Sequence, residues 1–63
     1  REAFLEALRA NAGWVEGWAY LGLVENRLGN RPAAGEAFCR ALSLDPNHTI
    51  ARSQAASLGV NCN

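Results

Sequence analysis

Residues 15–48 read VEGWAYLGLVENRLGNRPAAGEAFCRALSLDPNH, and the organisation of the whole chain follows from them. Two helical patterns are separated by Gly29-Asn30. In the first, Trp18, Leu21, Gly22, Glu25 and Leu28 recur at i, i+3, i+4 and place one stripe on one face. In the second, Ala34, Ala37, Phe38, Ala41 and Leu42 do the same. Gly29 is placed to stop the first helix as its left-handed residue. Asn30 is a candidate cap for the next helix, and Pro32 falls in its first turn, where a missing N–H costs nothing. Asp45-Pro46-Asn47 ends that helix, because a residue before proline avoids the helical region.

Working outward, the segment is one unit of a repeat. Residues 1–14 aligned on 35–48, an offset of 34, share five identities: Glu2/Glu36, Ala3/Ala37, Phe4/Phe38, Ala7/Ala41 and Leu8/Leu42. Chance gives about one at ordinary residue usage. Residues 15–29 against 49–63 share none, so the periodicity is clear in half of the unit and decayed in the other half. The pattern predicts four antiparallel helices: about Glu2–Ala10, Trp14–Leu28, a third from Asn30 to about Leu44, and about His48–Leu58. Asn47 or Thr49 is the candidate cap of the fourth, and Gly59 its stop. No window alternates with period two, and the β-branched residues are five: Val15, Val24, Thr49, Ile50 and Val60. The expected fold class is therefore all-α.

Composition sets the outer bounds. The chain has 63 residues, six basic and six acidic side chains, and 49% apolar residues. That length holds one domain with a small core, which calls for a staple, a partner or very regular packing. Zero net charge argues against nucleic acid as a partner. No apolar run approaches the roughly 20 residues that span a bilayer. The opening Arg1-Glu2-Ala3-Phe4 matches the middle of a unit and reads as part of a longer soluble protein.

Trp18-x2-Leu21-Gly22-x2-Glu25, followed by Ala34-x3-Phe38-x2-Ala41-x4-Pro46, resembles the tetratricopeptide repeat. Glu25 departs from the pattern, which has a large side chain such as Tyr there. The departure implies a hole, a wet spot or a polar contact with another segment. Ala12 stands where the family has Pro. The resemblance implies a right-handed α-α superhelix of about two repeats. Residues 1–14 become the second helix of a preceding repeat, 15–48 a complete repeat, and 49–63 a capping helix and tail. Arg52, Ala55 and Ala56 replace the Trp, Leu and Gly positions in that last helix, as suits a solvent-facing end. The implied repeat core is Phe4, Ala7, Trp18, Leu21, Gly22, Ala34, Phe38, Ala41 and Pro46.

By the same resemblance, the first helix of each pair lines a concave groove for a peptide or partner helix. Its residues here are Glu16, Ala19, Tyr20, Leu23, Arg27, Ile50, Ser53, Gln54 and Ser57. The carboxylate clamp of chaperone-binding members is missing, since Ala19, Leu23, Ile50 and Gln54 occupy its places. The Asn ladder of sugar-transferase arrays is missing too. The expected function is a protein-interaction scaffold. The alternatives are self-association within a larger assembly, or an accessory segment of an enzyme chain. Tyr20 and Leu23 either face a ligand or pack on further helices. Trp14 staples the helix start, covers the preceding helix, or faces a partner.

Two cysteines remain. Cys39 lies on the third helix and Cys62 in the tail, which the returning fourth helix carries back toward it. They are a candidate disulfide, which would imply the bacterial periplasm or another oxidising compartment. Two free thiols and a cytoplasmic setting are the other reading. With His48 they match no common zinc spacing, so no metal site or cofactor is expected. No phosphate loop, G-x-S-x-G or H-E-x-x-H is present, and no enzymatic activity is expected.

Overall fold

The computed structural model describes residues 2–60 together with Cys62. They form four helices: α1 Glu2–Ala10, α2 Val15–Arg27, α3 Arg31–Leu44 and α4 Thr49–Leu58. No strand occurs among the described residues. The fold is all-α, a succession of helical hairpins with α2 and α3 the most intimate pair.

That intimacy has a steric cause. Phe38 is 0% exposed, and its ring lies directly on Gly22. A Cβ at position 22 would stand 2.6 Å from the Phe38 ring. Burying such a side chain stabilises by about 2–3 kcal/mol. Around it lie Ala19, Ala34, Ala41, Ala51 and Ala55, small residues that bring α2, α3 and α4 together. A second cluster, Leu8, Leu21 and Ala37, ties α1 to the α2–α3 pair, with Phe4 and Leu5 packed against it. Trp18 is half-buried and packs against both clusters. Its Nε1–H donates to the Ala12 carbonyl at 2.8 Å, and the Arg40 guanidinium sits 5.2 Å from its ring centroid.

The C-terminal ends of α2 and α4 are made by glycine. Gly29 (φ 83°) and Gly59 (φ 70°) adopt the left-handed conformation that costs other residues about 1–2 kcal/mol. Each is followed by the same double closure. Gly29 N–H bonds the Asn26 carbonyl at 3.1 Å and Asn30 N–H the Glu25 carbonyl at 2.8 Å. Gly59 N–H bonds Ala56 at 3.1 Å and Val60 N–H bonds Ala55 at 2.9 Å. These are Schellman caps, and they satisfy carbonyls that the helices leave open.

Several expectations need correction. α2 begins one residue later and ends one earlier than Trp14–Leu28, because Trp14 is its N-cap and Leu28 its C-cap. Leu28 is consequently 59% exposed and leaves the core stripe. Asn30 occupies the N-cap of α3 without a side-chain cap bond, since its side chain is held by the Nδ2–H that donates to Glu25. Neither Asn47 nor Thr49 caps α4. Asn47 N–H is held by Asp45 Oδ1 at 3.1 Å, and His48 Nδ1 accepts the Ala51 N–H at 3.3 Å. Ala7 and Pro46 are exposed and do not belong to the core. Pro46 acts in the turn, after an extended Asp45. Ala7 occupies the position of Ala41, but no described helix lies over that side of α1.

Gly22→Leu tests the packing scheme. The branched side chain has no space against Phe38, so the cooperative thermal transition followed by far-UV circular dichroism should be lost. Gly22→Ala, the smallest such change, should cost about 1–3 kcal/mol.

Candidate functional site

Among the described residues, two surfaces combine exposure with order. The first is on α2. Tyr20, Leu23, Val24 and Arg27 recur at helical spacing and line a groove of about 310 Å3. Tyr20 is 58% exposed, although it is not loose. The Phe4 ring from α1 meets it edge-on, with centroids 5.4 Å apart. Phe4 also meets Trp14 edge-on at 5.6 Å. Such pairs add about 0.5–1.5 kcal/mol beyond their buried area. The groove has an apolar floor and carries two polar groups, the Tyr20 hydroxyl and the Arg27 guanidinium.

The residues expected in a groove are thus only partly brought together. Tyr20, Leu23 and Arg27 share it, while Glu16 is exposed outside it. Ala19 is 3% exposed and belongs to the core, so it cannot contact a ligand. It packs with Ala34 and Phe38 because α3 crosses on that side of α2. On α4, Ile50, Ser53 and Ser57 are exposed and Gln54 is half-buried, but none of them lines the Tyr20 groove. Val24 was missed, although its i+4 spacing from Tyr20 points to it. Phe4 was assigned to the core; it is half-buried and is the side chain that orients Tyr20. Trp14 covers α1 through Phe4 and seats over Gly17, where a Cβ would run into its ring. It keeps 38% of its surface exposed.

Near the end of α2, Glu25 is 3% exposed and its Oε1 accepts the Asn30 Nδ2–H at 2.9 Å. Both a polar contact and a hollow are found at this position: beside α3, Glu25 also lines a hollow of about 240 Å3 with Trp18, Leu21, Ala33, Ala37 and Arg40. The side chain reaches past the end of its own helix and fastens the α2–α3 turn.

The second surface surrounds the cysteines. Cys39 of α3 and Cys62 form a disulfide, with their Cα atoms 5.3 Å apart and a sequence separation of 23. A loop of that size stabilises by about 3 kcal/mol in the chain-entropy model. Just before it, Val60 lies on Gly35, where a Cβ would stand 2.9 Å from the valine. Grooves open on either side of the bridge.

Comparison with protein-family models, with curated proteins and with solved structures gives no match to this chain. No helix is long and apolar enough to cross a membrane among the described residues.

Two measurements follow from these contacts. Asn30→Ala removes a hydrogen bond to a buried carboxylate and should lower the unfolding free energy by about 1–3 kcal/mol in denaturant titration. The native protein should show no free thiol without reductant and two after reduction in a thiol titration. Cys39→Ser should cost about 3 kcal/mol of stability under oxidising conditions.

Proposed function

We propose that the chain is a tetratricopeptide-type segment, part of a right-handed helical superhelix, that serves as a protein-interaction scaffold. The observation that carries this reading is Tyr20, an aromatic more than half exposed yet held in place by Phe4 above an apolar groove. A ligand there gains aromatic contact area with little ordering cost, as interface anchors do. Arg27 at the same groove supplies a fork for a carboxylate or a backbone carbonyl. The partner of best fit is therefore an amphipathic helix or an extended apolar peptide with an acidic or carbonyl-rich end. The resemblance at Trp18, Leu21, Gly22, Ala34, Phe38 and Ala41 supports the same function. So does the close approach at Gly22, which explains why small residues sit at these places. The Cys39–Cys62 disulfide supports an oxidising compartment as the setting.

A second reading, self-association, has one observation of its own. Ala3, Ala7 and Ala10 are exposed on one side of α1. Their counterparts Ala37 and Ala41 are buried on α3.

Sedimentation of the 63-residue chain separates the two readings. A folded monomer at micromolar concentration supports the groove, and a stable dimer supports self-association. For the groove itself, peptides selected by display on the folded chain should lose at least about tenfold in affinity, about 1.4 kcal/mol, on Tyr20→Ala. Arg27→Ala should weaken them less. Selected peptides that bind both variants as well as the parent would sink the reading.

A further inference from the structure

The two grooves beside the disulfide share a wall. One, of about 640 Å3, extends along α3 from Arg31 and Pro32. The other, of about 340 Å3, comes from the side of Pro46 and Arg52. Cys39, Ser43 and Cys62 line both. The bridge therefore stands as a dam across one trough. Neither groove shares a residue with the Tyr20 surface.

The dam is held differently from the helical body. The buried cluster of Ala19, Ala34, Phe38, Ala41, Ala51 and Ala55 comes entirely from helices and contains no cysteine. α4 is closed by its own cap, and Val60 is still tied to it through the bond to the Ala55 carbonyl. Beyond Val60 the described attachment is the covalent bond from Cys62 to Cys39. Cys62 is exposed and Cys39 is half-buried. A thiol in solution thus reaches the Cys62 side of the bridge first.

We propose that the Cys39–Cys62 disulfide is a releasable strap: reduction by a dithiol detaches Cys62 from α3, joins the two grooves into one trough along α3, and leaves the helices folded. The dithiol attacks as its thiolate at Cys62 Sγ and forms a mixed disulfide. Cys39 leaves as a thiolate and takes a proton. The second thiol of the reagent then displaces Cys62, which is also protonated, and the reagent departs as a cyclic disulfide. Two electrons and two protons pass from the dithiol to the protein. In the closed state the occupant of the trough is the chain's own Cys62. The inference stands on the bridge and its two grooves, independently of any peptide bound at Tyr20.

The test treats the 63-residue chain with dithiothreitol and follows two readouts. Helicity by far-UV circular dichroism should stay at its oxidised value at ambient temperature. Cys39 should then react with iodoacetamide within about tenfold of the rate at Cys62, the spread that ordinary differences in thiolate fraction produce. Cys62→Ser should show the same Cys39 reactivity with no reductant present. Loss of helicity on reduction, or in Cys62→Ser, would overturn the proposal by making the bridge a staple of the whole fold. So would a Cys39 that stays shielded once the bond is broken, since the trough would then remain dammed without it.

Discussion

The contact between the Phe38 ring and Gly22 is the constraint on which the remaining structure depends. It fixes the distance between α2 and α3, and that distance forces small residues along the shared face. Once Ala19, Ala34 and Ala41 are committed to close approach, the large side chains must go elsewhere. Leu21 turns toward α1, Trp18 spans the two clusters, and Tyr20 is left outside. The exposed aromatic that makes the best candidate ligand contact is thus a by-product of a core built on alanine and glycine. A core of this kind buries little area per residue. That explains why a covalent bridge at one end contributes a meaningful share of the stability.

Helix existence was legible in the residues because the apolar positions keep the 3.6-residue period and because Gly29, Pro32, Pro46 and Gly59 punctuate it. α1 and α3 matched the expected spans, and the whole is all-α. The cysteine pair was legible as a candidate, since an antiparallel α4 returns the chain toward Cys39, but spacing alone left two free thiols open. The caps were less legible. Asn30 has the right chemistry for an N-cap, yet its Nδ2–H donates to a buried carboxylate five residues earlier, and the side chain held that way makes no cap bond through Oδ1. That bond is invisible until Glu25 is known to be buried.

The groove was the least legible part. Helical periodicity says which residues share a face, and it does not say which of two flanking helices will cover that face. Ala19 and Tyr20 are neighbours in sequence, but α3 crosses over the first and leaves the second in solvent. Ala7 shows the converse. It matches a buried position in the repeat, while no described helix lies over it. Burial is a property of the neighbour as much as of the residue.

The double role of Trp18 carries one more consequence. This side chain touches both apolar clusters, and its indole N–H reaches the turn between α1 and α2. Among the described residues, the α1 helix otherwise rests on the body through Phe4, Leu5 and Leu8. Trp18 is therefore the thermodynamic coupling between a lightly held α1 and the tightly paired α2–α3. Amide exchange should separate the chain into two tiers: α1 opening locally, and α3 exchanging only when the entire molecule unfolds. The indole sets how far apart those tiers lie.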